Sequence, residues 1–411
     1  MVSILNGFSF AGIGSITDFN TSGAIATPTP NGERSLNIIH MIDSLGRGGA
    51  EHLLSTYAPE LNRQGIGVHV VVLQERDGNP AAARLQAEGV PVELVPLDKL
   101  RRIDQVGSAI RRLRVLGPDI IHAHLEASTV LTGIAGLVLR VPTVATLHTR
   151  EYPERFDRAG ARLWLRNQFL IAAYDQVICL SESLEEDARR HGLGRAALTS
   201  IGNGVDISQF DRTKRGSVSQ ARAELGIPSS VKLIVSVAVL RAQKGIDRLL
   251  RAIVEVRPAV PDLHLLIVGD GVERGPLEQL SRDLGLADVV TFAGFRNDVA
   301  RLLSAGDLFV LPTLWDALPT VVMEAMAAGL PIVASRVGGL PDMVQDGVEG
   351  ALVSTDNEGE LVSAICRILG DDGLYQDMAA AARRRAESQF SLAGQVAKLA
   401  TLYRNLAAAK P

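Results

Sequence analysis

The stretch DLFVLPTLWDALPTVVMEAMAAGLPIVAS, residues 307–335, carries the reading of the fold. It opens and closes on short apolar runs, DLFVLPT and PIVAS. Their apolar residues are continuous rather than alternating, as in strands covered by helices on both faces. Between them lies an apolar segment with Pro319 near its start. Proline has no backbone N–H and suits the first turn of a helix. Strand, helix, strand is the unit of a parallel sheet. One residue does not fit an apolar helix: Glu324, set among Val321, Val322, Met323, Ala325, Met326 and Ala327. A buried carboxylate without a partner costs on the order of several kcal/mol. A protein group or a ligand is therefore expected to satisfy it.

The same pattern recurs outward in both directions. One set of apolar runs is LNIIHMI (36–42), GVHVVVL (67–73), VPVELVPL (90–97), DIIHAH (119–124), VPTVATLH (141–148) and QVICLS (176–181). A second set is KLIVSVAVL (232–240), HLLIVGDG (264–271), VVTFAGF (289–295), DLFVLPT (307–313), PIVASRVGG (331–339) and ALVS (351–354). Two sets of about six strands predict an α/β protein with two Rossmann-like doubly wound domains facing across a cleft. The polar stretch NGVDISQFDRTKRGSVSQ (203–220) reads as the linker. The predicted division is a loose tail over 1–34, one domain over 35–207 and a second over 208–390, with 391–411 packing back on the first. Ligands of such sheets bind at the carboxyl ends of the strands, which here means in the cleft.

Composition narrows the function classes. A net charge of −4 over 411 residues gives no global field for nucleic acid. The two cysteines, Cys179 and Cys366, build neither a disulfide framework nor a metal site, which fits a reducing, cytoplasmic setting. No apolar run is long enough to span a bilayer; STVLTGIAGLVL (128–139) reads as a buried helix.

Candidate chemistry sits where strands end. SLGRGGAEHLL (44–54) follows the first strand, and Gly48 and Gly49 open a helix. Such a turn is either an anion site or a plain tight turn. His122 and His124 share one strand face; packing and hydrogen bonding outweigh a metal role there, since no third ligand lies nearby in sequence. His148 ends its strand at the ligand edge. Arg241 and Lys244 occupy the loop before Gly245, at a helix start that disfavours cations. An anionic ligand resolves the conflict, each charge-assisted hydrogen bond contributing about 1.5–3 kcal/mol; the alternative is a solvated loop. In the opening stretch, the free N–H groups around Leu318, Pro319 and Thr320 form another anion site. Asp316 and Glu324 beside it can accept hydrogen bonds from hydroxyls. Hydroxyls together with a diphosphate describe a nucleotide sugar.

These residues resemble the GT-B fold, family-4 retaining glycosyltransferases, the glycosyl transferases group 1 type. The matching pieces are GRGGAEH, DIIHAH, TLHT, NGVD, KGIDRLLRA, LLIVGDGVERGPLEQL, VTFAGF and WDALPTVVMEAMAAGLPIVASRVGGLPDMVQDGVEGALV, in family order over about residues 36–390. The resemblance implies that Glu324, the second acid of the family's E-x7-E motif, holds the ribose and that Asp316, at the first acid, positions the donor sugar. It places Leu318 to Thr320 around the diphosphate, Lys244 as its neutralising cation, and Gly48 and Gly49 near phosphate and acceptor. His148 falls near the reacting carbon, with Asn203 and Gly204 near the cleft. The implied catalytic set is His148, Lys244, Arg241 and Asp316, with no metal and no cofactor beyond the nucleotide-sugar donor, a UDP- or GDP-sugar. The acceptor is a hydroxyl on a glycan, a lipid-linked or a small molecule.

Two positions depart from the family pattern. Asp316 stands where Glu is usual, and Val239 stands where the family carries an arginine that Arg241 would replace. A nucleotide-sugar epimerase and a noncatalytic nucleotide-sugar binder are the alternative outcomes. The chain also carries Arg-rich segments. Arg158, Arg162 and Arg166 recur on one helix face, which is either a solvated face or a peripheral contact with an anionic membrane.

Overall fold

The structure is a computed structural model. It describes residues 35–409 apart from Arg47, 77–78, Lys99, Arg101, 149–166, 211–217 and Ala317. The expected tail and the face of Arg158, Arg162 and Arg166 lie outside the described residues.

Two parallel sheets organise the chain. The first holds β1 (Asn37–Ile42), β2 (Gly67–Val72), β3 (Val92–Leu94), β4 (Ile120–His124), β5 (Thr143–Leu147), β6 (Gln176–Cys179) and β7 (Leu198–Ser200). Their order is β3-β2-β1-β4-β5-β6-β7. The second holds β8 (Lys232–Val237), β9 (Leu263–Val268), β10 (Val290–Gly294), β11 (Leu308–Leu311), β12 (Ile332–Ser335) and β13 (Gly350–Val353), in the order β10-β9-β8-β11-β12-β13. Every strand predicted from a continuous apolar run is present. The seventh strand of the first sheet, β7, was not among them; it is three residues long and carries no apolar run. Strand order reverses between β1 and β4 and between β8 and β11, the switch points at which open α/β sheets bind ligands.

Helices cover both faces of each sheet. Those that bear on the cleft are α1 (Gly49–Arg63), α2 (Glu126–Leu139), α3 (Glu182–Ala188), α4 (Ile246–Val256), α5 (Thr320–Ala327) and α6 (Leu392–Ala408). Strand residues on one face of the first sheet, such as Ile39, Met41 and Ile121, pack against Leu131 and Ala135 of α2. The 128–139 stretch is buried on that side but leaves Leu137 and Val138 exposed, so it is a half-covered helix rather than a fully buried one. One apolar cluster runs without interruption from the first sheet into the second, through Leu180, Ile201, Leu318 and Leu392.

The chain passes between the two halves twice, and the passages are tied together. Val205 N–H donates to the Phe390 carbonyl at 2.8 Å, and Leu392 N–H donates to the Val205 carbonyl at 2.8 Å. Helix α6 then lies against α1 on the first half. Gly204 is needed at this crossing: a Cβ there would fall 2.8 Å from the Cα of Leu392.

Candidate active site

The switch point of the second sheet brings the loops after β8 and β11 side by side. The β8 loop ends in a 3-10 turn, Ala242–Lys244, fastened to the β11 loop by its backbone. The Gln243 carbonyl accepts from Leu314 N–H at 2.8 Å and from Thr313 Oγ1 at 3.0 Å, and Gln243 Nε2 donates to the Trp315 carbonyl at 3.0 Å. This fastening delivers Lys244 to Asp316: Nζ is ion-paired with Oδ2, the two side chains being 22% and 18% exposed. The loop after β12 pins Asp316 from the other side. Gly339 N–H donates to its carbonyl at 3.1 Å, and a Cβ on Gly338, whose φ is +57°, would lie 1.7 Å from that same oxygen. Only glycine accepts both the left-handed backbone and that approach. Arg241 and Val239 are both exposed, and no hydrogen bond or ion pair holds the Arg241 side chain among the described residues; its backbone N–H donates to the Val239 carbonyl at 2.8 Å.

Helix α5 begins at this junction. Pro319 precedes it with φ −68°, and no side chain caps its first turn. Its N-terminal amides therefore leave an electropositive end beside Asp316 and Lys244. Leu318 is buried, and its carbonyl accepts from Asn203 Nδ2 at 3.3 Å, a contact from the opposite half. Asn203 Oδ1 is buried with no hydrogen-bond partner among the described residues. A second contact across the cleft runs from Ser183 N–H to Asp342 Oδ2 at 3.1 Å. Glu324 lies one turn into α5, half-buried. Burial pushes its carboxyl up to about 7, and among the described residues no cation or donor offsets that cost. The local sequence shows why: the residues flanking it on the helix, Val322, Met323, Ala325 and Met326, are core.

In the first half, Gly48 and Gly49 begin α1 after β1. Glu51, in the first turn of α1, folds its carboxylate back over Gly48; a Cβ on Gly48 would lie 2.2 Å from its Oε2. The N-terminus of α1 is thus met by the chain's own anion, which the glycine pattern alone did not reveal. Tyr57 of α1 donates through its hydroxyl to the Gly202 carbonyl at 2.8 Å, securing the stretch that presents Asn203. At β4, Leu125 holds φ +73° and ψ −172°, a strained conformation for a branched residue. Asp43 holds that turn by accepting from the Ala127 and Ser128 amides at 3.0 and 2.7 Å.

His148 stands at the end of β5, half-buried, and is linked inward. Its Nε2 is 3.1 Å from His124 Nδ1, and His124 Nε2 is 2.9 Å from His40 Nδ1. The pair His122 and His124 therefore has a third histidine beside it, His40, whose nitrogens come within 4.8 Å of theirs. Sequence proximity hid it because β1 lies 80-odd residues upstream, yet β1 and β4 are neighbours and His40 is paired with His122 in register. A histidine in the middle of NIIHMI, a strand otherwise apolar after Asn37, was the available signal. The three rings could approach a metal, but each of their nitrogens already takes part in a hydrogen bond to a protein group.

A family model described as Glycosyl transferases group 1 matches residues 217–385, and one described as Glycosyltransferase Family 4 matches residues 47–209. The chain is 27% identical over 386 residues to the D-inositol 3-phosphate glycosyltransferase of Corynebacterium diphtheriae, spanning 87% of this chain and 89% of that one. It is 28% identical over 295 residues to the UDP-Gal:alpha-D-GlcNAc-diphosphoundecaprenol alpha-1,3-galactosyltransferase of Escherichia coli, spanning 69% and 75%. Among solved structures, Anabaena Alr3699/HepE in complex with UDP matches with a TM-score of 0.80 at 24% identity, over 90% of this chain and 100% of that one. The same protein has been solved with UDP-glucose. At 90% coverage of this chain, that likeness of fold takes in both sheets.

Proposed function

Because the chain belongs to the family-4 glycosyltransferases of the GT-B fold, we propose that it moves a sugar from a UDP- or GDP-sugar to an acceptor hydroxyl, retaining the anomeric configuration and using no metal. The observation that carries this reading is the convergence of Lys244, Asp316 and the uncapped N-terminus of α5, with Glu324 one turn further in. Breaking the bond between the sugar and the β-phosphate leaves an electron pair on a phosphate oxygen. Lys244, the α5 amides and the exposed Arg241 are the groups of this chain that meet such charge, as donors placed before the reaction begins. The sequence has no Asp-x-Asp motif to hold a divalent ion, and these cations take its place.

Glu324 supplies a carboxylate to the ribose hydroxyls, and Asp316 supplies one to the donor sugar. Contacts between the halves, at Asn203–Leu318 and Ser183–Asp342, flank the cleft that closure would dry. The UDP and UDP-glucose complexes of the Anabaena structure support a uridine nucleotide as the first donor to try.

The test has two stages. A thermal-shift screen against UDP-, GDP- and ADP-sugars should raise the melting temperature with one nucleotide class. That donor with an acceptor panel, in the presence of a chelator, should then release nucleoside diphosphate. Release abolished by the chelator would refute metal independence, and an inverted anomeric coupling in the product's proton spectrum would refute retention. Donor turnover without any acceptor would point to an epimerase, and binding with no turnover to a noncatalytic protein.

A further inference from the structure

Beneath the cleft, six side chains from four elements form a single line of hydrogen bonds. From the cleft inward, His148 Nε2 meets His124 Nδ1 at 3.1 Å, and His124 Nε2 meets His40 Nδ1 at 2.9 Å. His40 Nε2 meets the Tyr403 hydroxyl at 3.3 Å, which meets His122 Nδ1 at 2.6 Å. His122 Nε2 ends the line at Thr146 Oγ1, 2.7 Å away. The strand registers make this possible: His40 pairs with His122 and His124 with Thr146, so the strand residues share one face. Tyr403 comes from α6, which covers that face.

Burial holds His40 near 3 and His148 near 4, and holds His122 and His124 well below the ordinary imidazole range. Each ring is then neutral, with one N–H and one bare nitrogen. Every internal ring uses both nitrogens, so it must donate on one side and accept on the other. The line can reverse its polarity only at Tyr403, whose phenol oxygen can accept from both sides, so three arrangements satisfy all five bonds. In one, every proton points toward the cleft. Thr146 donates to His122, His122 to Tyr403, Tyr403 to His40, His40 to His124, and His124 to His148. In a second, every proton points away. The Thr146 hydroxyl then accepts from His122, and its own proton has no acceptor among the described residues, in a buried position. In the third, His122 and His40 both donate to the Tyr403 oxygen, and the buried phenol proton has no acceptor among the described residues. An orphaned buried donor is penalised, so the first arrangement prevails.

We propose that this line fixes His148 as its Nδ1–H tautomer, a hydrogen-bond donor to a substrate oxygen, and that Thr146, Tyr403 and His40 are positioning residues for it. His148 Nδ1 is the one end of the line that no protein group engages among the described residues. In this form His148 orients an oxygen and does not act as a base, because the nitrogen on its inner side already accepts from His124. That the oxygen belongs to a nucleotide sugar or its acceptor rests on the function proposed above; the tautomer does not.

Nitrogen-15 NMR of the full chain labelled at histidine reads the tautomer directly at neutral pH, with His148→Gln identifying the signal. His148 should carry its proton on Nδ1. Thr146→Val, which removes the hydroxyl at the buried end, should move His148 toward the Nε2–H form, and Thr146→Ser should restore Nδ1–H. Tyr403→Phe should also release it. In a transfer assay Thr146→Val should lower kcat by about tenfold with the donor KM unchanged, the size of one lost hydrogen bond. An Nε2–H or doubly protonated His148 in the wild type would overturn the proposal, as would a tautomer insensitive to Thr146→Val. If the tautomers behave as stated but no sugar is transferred, the functional reading fails and the polarised line stands.

Discussion

Lys244 and Asp316, 72 residues apart in the chain, meet as an ion pair at the carboxyl ends of two neighbouring strands. The pair couples the two charges that the proposed reaction needs separately. A diphosphate reaching Lys244 competes with Asp316 for the ammonium. The carboxylate so displaced is free to accept from a sugar hydroxyl.

Removing the cation should expose its part in leaving-group departure. Lys244→Ala is expected to lower kcat at saturating donor by at least about tenfold, with about 10²–10³ the usual cost of one electrostatic donor. Steady-state kinetics checks this, and unchanged turnover would refute the role.

Neutralising the partner should act in the opposite sense on binding. Asp316→Asn releases Lys244 from competition, so nucleoside diphosphate should bind about threefold to tenfold more tightly, a change on the order of 1 kcal/mol, as for a partly exposed ion pair. Transfer should nonetheless slow, because the donor sugar loses an acceptor. Calorimetry and kinetics on the same variant separate the two effects. Weaker nucleotide binding would show that Asp316 does not compete.

Glu324 predicts a pH dependence with a definite sign. Its carboxyl sits at about 7 in the fold against an ordinary 4.5. Across that window the folded chain holds a proton that the unfolded chain has released, so stability falls as pH rises through it. A ribose donating hydrogen bonds favours the carboxylate, so donor affinity should rise with pH toward and past neutrality, with proton release on binding at lower pH. Glu324→Gln should flatten both profiles and weaken nucleotide binding with the fold intact. Urea unfolding and calorimetry in two buffers measure these; wild-type affinity in the variant would show that the ribose lies elsewhere.

Gly204→Ala tests the crossing. Its new methyl would press on the Leu392 backbone, which cannot swing aside as a side chain would. A loss of about 1–3 kcal/mol is expected from such overpacking, measured by denaturant unfolding. No loss would mean that the crossing yields.

Most of the fold was legible because strands buried on both faces declare themselves as continuous apolar runs. β7 did not, since its pairing with β6 comes from position rather than composition. Lys244, Asp316 and Glu324 were legible as charges in the wrong places: a cation at a helix start and acids beside an apolar helix. Their pairing was not, because the β8–β11 adjacency is a product of sheet order. His40 and Tyr403 were missed for the same reason. Each looks like ordinary core until registers and a terminal helix bring them against His122. The Glu51 carboxylate over Gly48 depends on a side-chain rotamer, which spacing does not encode.

The last helix has a consequence for how the molecule is made. Tyr403 completes a line of histidines whose other members leave the ribosome hundreds of residues earlier, 281 positions separating it from His122 and 363 from His40. At roughly 5–20 residues per second, the nascent first half waits tens of seconds with its α6-facing surface bare. Three imidazoles in that surface remain open to water until α6 emerges. A chain released before α6 would carry both sheets yet lack the residue that sets the direction of its protons.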